Sequence, residues 1–79
     1  MRYLFFTSEH CKPCKIVKLE IIKHPEIYII DIEKNQKIAN KYGIMSIPTL
    51  LIIDKDGNVD SQITGTSIIK WLKDNNGLK

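Results

Sequence analysis

The stretch Arg2-Tyr3-Leu4-Phe5-Phe6-Thr7-Ser8-Glu9-His10-Cys11-Lys12-Pro13-Cys14-Lys15-Ile16-Val17 decides how this chain folds. Residues 2–7 are apolar and aromatic and read as a buried strand. Ser8-Glu9-His10 is a short polar loop. From Cys11 the pattern turns helical, with Ile16, Val17, Leu19, Ile21 and Ile22 expected to face inward and lysines between them. Pro13 suits the first turn of that helix, where its missing N–H costs nothing. His24-Pro25 is the expected stop, because proline disfavours the helical region for the residue before it. Ile27-Tyr28-Ile29-Ile30-Asp31-Ile32 is β-rich and reads as a second strand.

Outward from there the order continues. A helix is expected from about Asn35 to Tyr42, with Ile38, Ala39 and Tyr42 on one face and Gly43 as a left-handed stop. Ile44-Met45-Ser46-Ile47-Pro48 leads into a third strand over 49–53. Asp54-Lys55-Asp56-Gly57-Asn58 signals a tight turn. A fourth strand runs from Val59 to Thr64, with Val59, Ser61 and Ile63 on one face and the polar outer residues of a sheet edge. A last helix starts at Ser67 and ends near Asn75, its Ile68, Ile69, Trp71 and Leu72 packing inward and Asn76-Gly77 closing it. The order is β-α-β-α-β-β-α. The first βαβ unit sets two strands parallel through a right-handed crossover, and the last two strands form a hairpin. The fold class is therefore α/β: one domain over residues 1–79, a four-stranded mixed sheet with helices on both faces. Tyr3 and Tyr28 are expected to pack in or beside that sheet.

Composition narrows the function. With 79 residues the core is thin, about 60–70% of the unfolded surface being buried at this size. The 27% of charged residues argues against a membrane protein, and no stretch has the ~18 apolar residues a bilayer span needs. Met1 to Phe6 is too short for a secretory segment, so the expected location is cytoplasmic. The charge of +3 comes from lysines spread along the whole chain. Spread charge reads as a solvated surface with a mild bias toward acidic partners, not as a nucleic-acid footprint. Asp31, Glu33, Asp54 and Asp56 read as turn or surface groups.

There are two cysteines, Cys11 and Cys14. A secreted mini-protein stapled by disulfides needs more of them, widely spaced. A pair three apart closes a tiny loop, so a bond there exists to be made and broken. A zinc site needs two further thiol or imidazole ligands. His10 and His24 do not complete a standard set, so no metal and no cofactor is expected. A Cys-x-x-Cys at a strand-to-helix junction beside a βαβ pattern is instead a redox signal. Cys11 stands where unpaired backbone N–H groups and the helix dipole favour thiolate over thiol. Lys12 adds positive charge, and Pro13 stiffens the turn that brings Cys14 within bonding reach. Cys11 is the expected nucleophile and Cys14 the more buried resolving thiol. Two buried core cysteines without chemistry are the competing view.

The chain resembles the thioredoxin family along nearly its whole length. The resemblance is carried by Cys11-Lys12-Pro13-Cys14-Lys15 after an aromatic strand. It continues in Tyr42-Gly43-Ile44-Met45-Ser46-Ile47-Pro48-Thr49-Leu50, in Asp56-Gly57-Asn58-Val59 and in Gly65. It implies a minimal thioredoxin fold. It also implies a cis Ile47–Pro48 bond against the active pair, a backbone at Ile47 that pairs with an extended substrate segment, and room for substrate at Gly65.

Some positions depart from the family. The extra N-terminal strand and helix of full-length thioredoxins are missing. The usual tryptophan before the first cysteine is His10, which can tune Cys11, shuttle a proton, or be a solvated loop residue. The buried aspartate that helps deprotonate the second cysteine falls on Phe5, and its companion lysine on Ile29. Glu9, His10 or water is left for that task. Glutaredoxins are the nearest rival, but Lys-Pro replaces their Pro-Tyr, and Thr64-Gly65-Thr66-Ser67 offers no acid to hold glutathione.

The function implied is reduction of disulfide-containing protein substrates by a monomer, recharged by thioredoxin reductase, with ribonucleotide reductase as a candidate acceptor. The alternatives are a glutathione-dependent reductant and a redox-inactive module that binds peptides at Ile47 and Pro48.

Overall fold

The computed structural model describes residues 1–75. The expected helix stop at Asn76-Gly77 lies outside them. Seven elements follow in the expected order: β1 (Arg2–Thr7), α1 (Lys12–Ile21), β2 (Ile27–Asp31), α2 (Gln36–Lys41), β3 (Thr49–Ile53), β4 (Val59–Thr64) and α3 (Ser67–Asp74). They form a four-stranded mixed sheet in the order β2-β1-β3-β4. β1 runs parallel to β2, with Phe5 opposite Ile29, and antiparallel to β3, with Phe5 opposite Leu50. β3 and β4 make the antiparallel hairpin.

Alternation along β1 and β3 divides the core in two. Tyr3, Phe5, Leu50 and Ile52 meet Val17 and Ile21 of α1 and Ile68 and Leu72 of α3. Phe6, Leu51 and Ile53 point the other way, onto Ala39 of α2. Helices therefore cover both faces. β3 is buried throughout because it is central and covered twice.

Four expectations need correction. Ile16, Leu19 and Ile22 are exposed, and only Cys14, Val17 and Ile21 of α1 are buried. The buried set is spaced by three and four, which is the stripe a helix can lay on a sheet. The exposed set occupies the opposite side, where the sheet is absent. Second, α1 ends at Ile21 rather than at His24. The backbone N–H groups of Lys23 and His24 donate to Glu20 and Ile21 in a tightened last turn, 3.1 and 2.9 Å. Third, Tyr28 is 63% exposed, because it stands on the edge strand β2. Fourth, Val59 is exposed and leaves the face of Ser61 and Ile63. Asp60 is bulged out, since Ile52 pairs with Ser61 and Ile53 with Val59.

The end of α2 follows the expected stop. Gly43 has φ +63°, its N–H donates to the Asn40 carbonyl (3.1 Å), and the N–H of Ile44 donates to Ala39 (2.9 Å). These are the two bonds of a Schellman cap. The turn aims residues 44–48 back across the top of the sheet, toward the start of α1.

Candidate active site

Cys11 is the N-cap of α1, with an extended backbone at φ −107° and ψ 111°. Its Sγ accepts the backbone N–H of Cys14 at 3.2 Å. The sulfur thus takes the place of the oxygen that usually caps a helix and meets one of the unpaired donors there. Lys12 and Pro13 fill the first two helical positions and are exposed. The two cysteines are joined as a disulfide, their Cα atoms 5.2 Å apart. Cys14 is fully buried against the core, whereas Cys11 is partly open. An incoming group from solvent therefore reaches Cys11.

The residues beyond α1 converge on this sulfur. Cys11 Sγ lies 4.0 Å from the Ile47 carbonyl oxygen. The Ile47–Pro48 bond is cis, as the resemblance implied, and Pro48 is fully buried. The Thr49 hydroxyl donates to the Ser46 carbonyl at 2.8 Å, pinning this loop. The N–H of Gly65, at φ +66°, donates to the Pro48 carbonyl at 2.9 Å. Cys11, Ile47, Pro48 and Gly65 are therefore one constellation assembled from α1, the approach to β3 and the end of β4.

His10 stands at the solvent side, its side chain 81% exposed, with Nε2 3.9 Å from a Glu33 oxygen. The Ser8 hydroxyl donates to the other Glu33 oxygen and accepts the N–H of His10 (3.2 Å). The Ser8 carbonyl in turn accepts the N–H of Cys11 (3.3 Å). Ser8 and Glu33 were not singled out as site residues from the sequence, where Glu33 read as a turn or surface group. They are 25 positions apart, and only the parallel pairing of Thr7 with Asp31 makes them neighbours. The usable signal was that both stretches leave the carboxyl ends of adjacent strands.

Phe5, completely buried, and Ile29, 43% exposed, are hydrocarbon side chains and bring no charge to Cys14. Glu9 is exposed. Among the described residues, no group of three or more His, Cys, Asp or Glu is placed to hold a metal ion. Nor is any helix among them long and apolar enough to cross a membrane.

A family model, Thioredoxin, matches residues 3–74. Over 67 residues the chain is 42% identical to the thioredoxin of Bacillus subtilis (strain 168), covering 68% of this chain and 58% of that protein. It is 35% identical over 73 residues to the thioredoxin of Chlamydia pneumoniae, covering 85% of this chain and 71% of that one. In structure it resembles a single-site mutant of a thioredoxin from Halobacterium salinarum NRC-1, with a TM-score of 0.79 and 27% identity. That match covers 92% of this chain and 68% of the other. The chain thus spans little more than half the length of the Bacillus subtilis relative.

Proposed function

The chain belongs to the thioredoxin family, and on that premise we propose that it reduces protein disulfides through Cys11 and Cys14. The observation that carries this is the asymmetry of the pair: Cys11 caps α1 and is open, while Cys14 is sealed in the core. In the reduced state the N–H of Cys14 and the end of α1 favour thiolate at Cys11. That thiolate attacks one sulfur of a substrate disulfide, and the other substrate sulfur leaves as a thiolate that takes up a proton. Cys14 gives up its proton and attacks Cys11 Sγ, breaking the mixed disulfide. The second substrate sulfur leaves and is protonated. Two electrons have then passed to the substrate, and Cys11–Cys14 is closed.

In this reading Lys12, Pro13 and His10 tune Cys11. The backbone of Ile47, with Pro48 and Gly65 beside it, receives an extended substrate segment as an added strand. The proton of Cys14 goes to water, because Phe5 fills the place of an internal acid and Glu9 and His10 are exposed. The protein needs no cofactor. It works as a monomeric single domain in the cytoplasm, is recharged by a thioredoxin reductase, and has ribonucleotide reductase as one candidate acceptor.

The test is insulin reduction, with NADPH and thioredoxin reductase in one arm and NADPH, glutathione and glutathione reductase in the other. Turnover is expected in the first arm. Turnover in the glutathione arm alone would sink the proposed electron source. Cys11→Ser should abolish reduction, and Cys14→Ser should accumulate the mixed disulfide, read as added mass. A mixed disulfide at Cys14 in the Cys11→Ser variant would reverse the two roles.

A further inference from the structure

A cleft of about 450 Å³ opens beside the active-site loop, between α1 and the carboxyl end of β2. Ser8 and Glu9 of the loop, Lys15 and Lys18 of α1, Ile29 and Asp31 of β2, and Lys34 line it. It shares no lining residue with the constellation at Ile47, Pro48 and Gly65. Yet it begins next to the sulfur, because the carbonyl of Ser8 holds the N–H of Cys11.

The charges of this cleft are unbalanced. Lys15, Lys18 and Lys34 are exposed, and none makes an ion pair among the described residues. The opposing carboxylates are Glu9 and Asp31, and one oxygen of Asp31 already accepts the backbone N–H of Glu33 at 2.9 Å. The apolar lining residue, Ile29, is 43% exposed, and outside the lining Leu19 and Ile22 also stand exposed on α1. The outer edge of β2 has no hydrogen-bonded strand beside it among the described residues. Three unpaired lysines against two carboxylates, with the exposed Ile29 between them, fit one occupant: an acidic segment with interspersed apolar residues.

We propose that this cleft docks an acidic segment of the substrate protein next to the disulfide that Cys11 attacks. The proposal deepens the dithiol reading and rests on it for the meaning of the docked partner. A second copy of the chain is the poorer occupant, because it brings the same lysines to the same place. Opposite charge at such a cleft raises local partner concentration and on-rate, by about tenfold at the low end of such effects.

The first arm of the test involves no redox step. Two short cysteine-free peptides, one alternating Glu and Leu and one alternating Lys and Leu, are titrated into the oxidised chain while backbone amide shifts are followed by NMR. The Glu peptide should move the amides of Lys15, Lys18, Ile29 and Lys34, and the Lys peptide should not. The shifts should vanish near ~1 M salt, where the Debye length is about 3 Å. They should also vanish in a Lys18→Glu, Lys34→Glu variant. No shifts, equal shifts with both peptides, or shifts confined to 47–65 would each overturn the proposal. So would the same shifts appearing on concentration alone, which would assign the cleft to a second copy.

The second arm appends each segment to a peptide carrying a disulfide. The acidic substrate should show about tenfold higher kcat/KM than the basic one, and the double variant, which makes the lining acidic, should invert that ratio. Binding without turnover would refute the dithiol reading and leave the docking site standing. Turnover without preference would do the reverse.

Discussion

Cys11 gains its reactivity from what it touches: one N–H from Cys14, the end of a helix, and solvent. Cys14, apart from its contact with Cys11, is sealed in the core. After reduction, iodoacetamide should therefore modify Cys11 first, giving a single adduct located by peptide mass spectrometry. Two adducts forming at equal rates would contradict the asymmetry. Lys12→Glu should slow that alkylation near neutral pH by roughly threefold, an effect sized for an exposed charge. The fall in rate should shrink as salt is added. These residues were legible in the sequence because a cap and its first turn are local, and two intervening positions fix where the second sulfur falls. Ser8 and Glu33 were not legible, since their contact is set by the register of two strands that no local pattern encodes. The site at Ile47, Pro48 and Gly65 lies between these cases. Its residues stood out through resemblance, and only the folded chain puts the Ile47 carbonyl beside the sulfur.

At the scale of elements, each strand and helix appears where turn chemistry brackets it. β3 and β4 have the expected bounds because Pro48, the turn at 54–58 and Gly65 punctuate them. Gly43 illustrates the reason. A Cβ built there meets nothing within 4 Å, so the position needs glycine for its φ of +63° and not for space. Gly43→Ala should cost about 1–2 kcal/mol, the left-handed penalty, read as a lower urea midpoint with unchanged slope. Phe5 is a separate case. It lies under α1 and α3, fully buried, on the central strand that carries the active-site loop. Phe5→Ala should cost about 3–5 kcal/mol through lost contacts and a cavity. Restoring an acid with Phe5→Asp adds an unpaired buried charge to that loss, so it should unfold the chain rather than speed the second step. The faces of α1 were the element-level misreading. Ile16, Leu19 and Ile22 are as apolar as Val17 and Ile21, and periodicity alone does not say which stripe meets the sheet.

Over the whole molecule, the margin for such losses is small. A chain of this length is expected to hold roughly 4–12 kcal/mol of stability, so one buried truncation can take a large part of it. The two stripes of α1 turn this into a direct comparison. Val17 and Ile21 are shielded by β1, β3 and α3, and Ile21→Ala should remove about 2–5 kcal/mol. Leu19 and Ile22 are chemically equivalent but 66% and 61% exposed. Leu19→Lys and Ile22→Gln should each change stability by less than about 0.5 kcal/mol, because little apolar area returns to water. Urea denaturation of the variants decides the matter, with the slope checked for constancy. A loss of about 2 kcal/mol or more at Leu19 would mean that this face of α1 is covered in solution. The same pair of surface variants separates structure from docking. If Leu19 and Ile22 add apolar surface next to the lysine-lined cleft, their replacement should weaken capture of the Glu–Leu peptide while leaving the urea midpoint in place. A substitution that changes binding but not folding is the signature of a surface kept apolar for a partner.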